Sequence, residues 1–158
     1  MNSVDKYTCW LSCPVMDDEL LSDLRSMNPE KIQDCFYRDL SFGTGGLRGL
    51  LGAGTNRMNI FTVMKATRGV ARYLSDFCPK PSCAVCYDSR IHSEDFARLS
   101  AAVLASMGVR VYLFPALMPT PVLSFSVRHL RASAECIRVP AYFSISLHYY
   151  HAFFHFAP

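Results

Sequence analysis

An arginine set among glycines is the most chemically suggestive arrangement in this chain: Ser41-Phe42-Gly43-Thr44-Gly45-Gly46-Leu47-Arg48-Gly49. Glycine reaches backbone conformations that other residues avoid, so successive N–H groups can converge into a nest for an anion. The Arg48 guanidinium adds a planar fork whose spacing matches phosphate or carboxylate oxygens. Between Leu40 and Ser75 there is no Asp or Glu, while Arg48, Arg57, Lys65, Arg68 and Arg72 supply five cations and the window holds seven of the eight glycines. A phosphate-bearing ligand is the expectation. Arg48 and the backbone at Thr44, Gly45 and Gly46 would be its main contacts, with Arg57 a further cation. The same composition also suits a glycine loop with solvated cations, and composition alone leaves both open.

Two nucleotide fingerprints are absent. The chain has no G-x-x-x-x-G-K-[ST], and no G-x-G-x-x-G can be drawn through its glycines. P-loop binding of ATP and the usual dinucleotide turn are therefore disfavoured. Asp88-Ser89-Arg90 is a second candidate for anion contact, or an ordinary surface ion pair of small energetic consequence. Cys83 and Cys86 form the only C-x-x-C. They lie in a strand-like run that points them to opposite faces, which suits buried thiols better than a shared metal. His148, His151 and His155 fall near one helical face, but no Cys or acid joins them as a further ligand.

The elements that would position these groups follow from periodicity. Residues 1–16 read as a loose lead-in. Leu20, Leu21, Leu24 and Met27 keep helical spacing behind Asp17-Asp18-Glu19, and Asn28-Pro29-Glu30 opens a further helix with an N-cap, a first-turn proline and an acid. Val63, Ala66, Thr67, Val70, Ala71 and Leu74 mark a long amphipathic helix that stops before Pro79. Then the pattern alternates: a buried strand at 83–87, a helix capped by Ser93-Glu94-Asp95 and ended by Gly108, a strand at 109–114, a helix opened by Pro119-Thr120-Pro121, and a short strand at 136–139. This order predicts an α/β fold with a mostly parallel sheet flanked by helices, joined by right-handed crossovers. Ligands of such sheets sit at the carboxyl ends of strands, which selects the loops at 88–90 and 115–120. Were the glycine segment to border the same edge, Arg48 and Arg90 would share one anion.

With 158 residues, 51% hydrophobic and 18% charged, the chain is long enough for one domain with a core and is not a disordered polymer. A net charge of +3, without a basic stripe interleaved with aromatics, argues against nucleic acid. The N-terminus has no apolar run of signal-peptide length, and the seven cysteines do not space as a disulfide framework, so a cytoplasmic protein is expected. Residues 139–158 differ in character, with no Asp, Glu, Lys or Arg but seven Phe or Tyr and three His. Their histidines, serines and prolines weaken a membrane-anchor reading.

From Phe36 to Gly49, and on through Gly52-Ala53-Gly54-Thr55-Asn56-Arg57-Met58-Asn59, the chain resembles the opening of the α-D-phosphohexomutases, in particular their phosphoglucomutase/phosphopentomutase (glucose 1,6-bisphosphate synthase-like) branch. Tyr87-Asp88-Ser89-Arg90 and Leu117-Met118-Pro119-Thr120-Pro121-Val122-Leu123 continue the resemblance in order, so that it covers roughly residues 30 to 135. It implies the first α/β/α domain of a four-domain enzyme, spanning 17–138, that moves a phosphoryl group within a sugar phosphate by way of a phosphoserine and a sugar bisphosphate. It also implies that Arg48 lies beside the phosphates, with Mg²⁺ serving the full-length family. The chain departs from that pattern where the serine should stand. Cys136-Ile137-Arg138-Val139-Pro140-Ala141-Tyr142-Phe143-Ser144 replaces the Thr-Ala-Ser-His-Asn-Pro run, and the Asp-Gly-Asp-Gly-Asp-Arg metal loop is missing. The expectation is a chain truncated before the phosphoserine motif, with 139–158 a non-homologous tail. It would be silent in catalysis alone and supply no metal ligands. A residual phosphate loop, or a domain interface left open to a protein partner, would be what remains.

Overall fold

The computed structural model describes residues 1–43, 46–139 and 142–147. The chain divides into two compact units, Met1–Val63 and Met64–Pro158.

Three short helices build the first unit. α1 (Ser3–Leu11) starts at a reciprocal capping box, in which the Asn2 side chain accepts the Asp5 N–H at 2.9 Å and the Asp5 carboxylate accepts the Asn2 N–H at 3.1 Å. The loose lead-in expected for residues 1–16 is thus corrected to a capped helix held by its aromatic face. Tyr7 and Trp10, three residues apart, both meet the ring of Phe36 edge-on at 5.9 and 5.5 Å, and Trp10 also meets Phe61 at 5.1 Å. α2 (Asp18–Arg25) is capped by Asp17 and α3 (Pro29–Phe36) by Asn28, each through a side chain accepting the N–H three residues on. Leu20, Leu24, Met27, Cys35, Phe36 and Ala53 form the buried core beneath these helices.

Next comes a short antiparallel ladder. β1 (Phe42–Gly43) pairs with β2 (Gly46–Arg48), Phe42 opposite Leu47 and Gly43 opposite Gly46. The long helix predicted from residue 63 is α4 (Ile60–Phe77), which leads the chain from the first unit into the second.

The second unit is the predicted α/β arrangement. β3 (Ser82–Tyr87), every residue buried, pairs in parallel with β4 (Arg110–Leu113) on one side and with β5 (Ala134–Val139) on the other. α5 (Ser93–Ser106) joins β3 to β4, and α6 (Thr120–Leu130) joins β4 to β5. The two crossovers run in opposite directions along the sheet, so right-handedness sends the two helices to opposite faces. α6 packs Leu123 and Val127 on Ala84 and Cys86. Alternation along β3 turns Cys83, Val85 and Tyr87 the other way. Both thiols of the C-x-x-C are buried, as their strand-like setting predicts. The Thr67 and Ser100 hydroxyls, both buried, meet at 3.1 Å and join α4 to α5.

Two details differ from expectation. Ser93 does not cap α5: His92 holds the N-cap position in the left-handed region with φ of 61°, and Ser93 is the first helical residue. The other is β6 (Tyr142–Leu147), which pairs antiparallel with β5, Ala134 opposite Leu147 and Val139 opposite Tyr142. Residues assigned from composition to a tail therefore extend the sheet. Among the described residues, no helix is long and apolar enough to cross a membrane.

Candidate functional site

Arg48 closes β2 on a backbone that is fixed on both sides. Leu47, immediately before it, is buried, while Arg48 itself is exposed. The chain then enters a loop, 49–59, folded back on itself: Met58 N–H donates to the Leu50 carbonyl at 2.7 Å and Gly52 N–H to the Met58 carbonyl at 3.2 Å. Asn59 ties this loop from within. Its Nδ2 is shared among the carbonyls of Gly52, Gly54 and Arg57 at 2.8, 3.0 and 3.3 Å, while its Oδ1 accepts the Phe61 and Thr62 N–H groups, both at 3.1 Å. Asn59 N–H in turn donates to the Thr62 hydroxyl at 3.0 Å. One buried amide therefore knots the loop and starts α4.

Helix α3 holds the same loop from outside. The Asn56 N–H donates to the Cys35 carbonyl at 2.9 Å and its Nδ2 to the Asp34 carbonyl at 3.1 Å. Gly54, at φ +125°, crosses α3 so closely that a Cβ there would stand 2.6 Å from the Cys35 carbonyl oxygen. Asp23, from α2, accepts the Ala53 N–H at 2.9 Å and the Lys31 ammonium at 2.8 Å. Burial pushes the Asp23 carboxyl upward. The Lys31 hydrogen bond, the Ala53 N–H and the charges of Lys31 and Arg57 outweigh it and hold the group below its usual range.

Arg57 does not stand open to a ligand. Its guanidinium pairs with the Asp34 carboxylate and donates to the Asn56 carbonyl at 3.1 Å, with only 11% of the side chain exposed. A cation expected to help grip an anion is instead used to brace the loop. Thr44 and Gly45 lie outside the described residues, and Gly46 begins β2 opposite Gly43.

In the second unit, Asp88 and Arg90 are brought together. Asp88 accepts the Arg90 N–H at 3.1 Å through Oδ1, and Arg90 Nε lies 3.5 Å from Oδ2. Their loop follows β3 and leads to α5 on one face, while the loop after neighbouring β4 leads to α6 on the other. Adjacent strands that send their loops to opposite faces open a crevice at their carboxyl ends. Tyr87 joins the two loops, its hydroxyl donating to the Pro115 carbonyl at 3.3 Å and its carbonyl accepting the Met118 N–H at 3.2 Å. Ser93, expected as a cap, serves this loop: its hydroxyl accepts the Asp88 N–H at 3.1 Å. Nothing in the pattern of Ser93-Glu94-Asp95 distinguishes that role from capping.

Among the described residues, no group of three or more His, Cys, Asp or Glu side chains could hold a metal ion. Mg²⁺ of the kind the resemblance implies therefore has no fitting ligand set in them. His148, His151 and His155 lie outside the described residues.

Comparison with known proteins agrees with the α/β fold. Residues 39–138 match the model of the phosphoglucomutase/phosphomannomutase alpha/beta/alpha domain I. A phosphoglucomutase from Staphylococcus epidermidis is 41% identical over 121 residues, 76% of this chain and 22% of that protein. A phosphopentomutase from Mus musculus is 36% identical over 135 residues, 79% of this chain and 22% of that protein. Among solved structures, a putative phosphomannomutase from Thermus thermophilus superposes with a TM-score of 0.60 at 30% identity, covering 69% of this chain and 25% of that one. The chain spans about a fifth of the length of the curated relatives it matches. With this α/β order and these three ordered motifs, the chain belongs to the phosphoglucomutase/phosphomannomutase family, and what it carries of that family is the first α/β/α domain.

Proposed function

We propose that this chain binds the phosphate of a hexose or pentose phosphate at the turn ending in Arg48, as the first domain of a sugar-phosphate mutase would. The observation that carries this reading is an exposed arginine, Arg48, leading into a loop knotted by Asn59, within a stretch free of Asp and Glu from Leu40 to Ser75. In an intramolecular phosphoryl transfer the protein mainly positions the sugar and neutralises charge on the moving group. Arg48 would do the second. Backbone N–H groups at Thr44, Gly45 and Gly46 would assist, and Arg90, oriented by Asp88, is a separate candidate contact.

Ser-His-Asn-Pro and the acidic metal run do not occur in these 158 residues, so the chain's own share is binding rather than turnover. A second reading is that the chain acts through a protein partner at its domain interface. Cys9, Cys13, Cys35, Cys78, Cys83 and Cys86 are free thiols, which suits a reducing cytoplasm.

Calorimetric titration with glucose 1,6-bisphosphate tests the proposal. Saturable binding that weakens with salt and is lost in Arg48→Ala is expected. Absence of binding by the folded chain would reject the phosphate reading and favour the partner reading.

A further inference from the structure

We infer that Asp23, on α2, is a positioning residue for the Arg48 turn, acting through the backbone of residues 50–58. This rests on the phosphate reading of that turn. Asp23 Oδ2 accepts the Ala53 N–H at 2.9 Å and sits so near Gly52 that a Cβ there would lie 3.1 Å from it. The other carboxylate oxygen takes the Lys31 ammonium at 2.8 Å. The peptide held in this way is bonded onward: Gly52 N–H to the Met58 carbonyl, and Met58 N–H to the Leu50 carbonyl. Leu50 is two residues beyond Arg48, and the side chains of Leu47 and Met58 are buried on either side of the connection.

The hold comes from outside the glycine segment because the segment contains no acceptor of this kind. No Asp or Glu occurs between Leu40 and Ser75, and Asp23 precedes the matched residues 39–138. An unpaired carboxylate serving an anion site would oppose the ligand; Lys31 neutralises it while leaving the acceptor in place. Helix α2 thereby supplies a charged hydrogen bond to backbone N–H, a stronger tether than a neutral one.

The test combines the bisphosphate titration with amide hydrogen exchange on the wild type, Asp23→Ala, Asp23→Asn and Lys31→Met. Asp23→Ala should bind glucose 1,6-bisphosphate about tenfold more weakly, the size expected for one charged hydrogen bond. Amides of residues 47–50 should then exchange about tenfold faster. Asp23→Asn keeps an acceptor for Ala53 and should recover both to within about threefold. Lys31→Met leaves the carboxylate on Ala53 and should keep exchange at 47–50 slow, which supplies a readout even should Asp23→Ala not fold. Wild-type exchange at 47–50 in Asp23→Ala, or rapid exchange there in Lys31→Met, would overturn the positioning role. A wild-type chain that fails to bind the bisphosphate overturns instead the phosphate reading, on a different signal.

Discussion

Gly54 crosses Cys35 at a separation that no side chain can share: a Cβ on Gly54 would stand 2.6 Å from the Cys35 carbonyl oxygen and 2.8 Å from its Cβ. The obstacle is helix backbone, which cannot swing aside, and φ at Gly54 is +125°. Gly54→Ala should therefore destabilise the first unit by at least about 3 kcal/mol, from overpacking and backbone strain together. Urea unfolding followed by Trp10 emission measures this directly, since the only tryptophan packs on Phe36 and Phe61 within that unit.

Asn59 should be nearly as intolerant. Its amide serves three carbonyls of the loop and its oxygen two N–H groups of α4. Asn59→Ala removes a helix cap and leaves buried carbonyls unpaired, a loss of about 3 kcal/mol in the same unfolding experiment. Asn59→Asp keeps the cap but not the donors, and should recover only part of that loss.

Acid should loosen the same region through Asp23. Its carboxyl is held below the ordinary value of 3.8 in the folded chain. Above that value both states carry the charge and the contribution is complete. As pH falls through and below 3.8 the unfolded chain takes up a proton that the folded chain resists, and the contribution drains away. Lys31→Met should flatten this acid limb in a pH series of Trp10-monitored unfolding, because Lys31 supplies the largest of the lowering interactions.

Arg131 ends α6 in the left-handed region, at φ 52°. Glycine takes this conformation without steric penalty, so Arg131→Gly should stabilise the second unit by about 1 kcal/mol, measurable as a rise in melting temperature. A fall would show that the arginine side chain holds something the glycine cannot replace.

Where residue chemistry acts locally, the sequence was readable. Asn28-Pro29-Glu30 is a helix start by its own hydrogen bonding, Gly108 ends α5 at φ +80°, and the apolar run 83–87 is a fully buried strand. The parallel order followed from alternation alone. What escaped depends on partners distant in the chain. α1 is held by the meeting of Tyr7 and Trp10 with Phe36, and β6 by the alternation of 142–147 finding an open edge on β5. At the site, the glycine–arginine segment was legible in the sequence, and the structure has Arg48 exposed at the close of a short strand. That Arg57 is occupied by Asp34, and that Ser93 serves Asp88, came only from the folded chain. Both are side chains whose types fit two roles equally well.

The most direct measurement of the central claim is the phosphorus resonance of glucose 1,6-bisphosphate, followed as the protein is added. The wild type and Arg90→Ala should each shift the signal to saturation, and folded Arg48→Ala should leave it where free ligand resonates. A folded wild type that moves nothing, or Arg48→Ala titrating like the wild type, would contradict the assignment of the phosphate to Arg48.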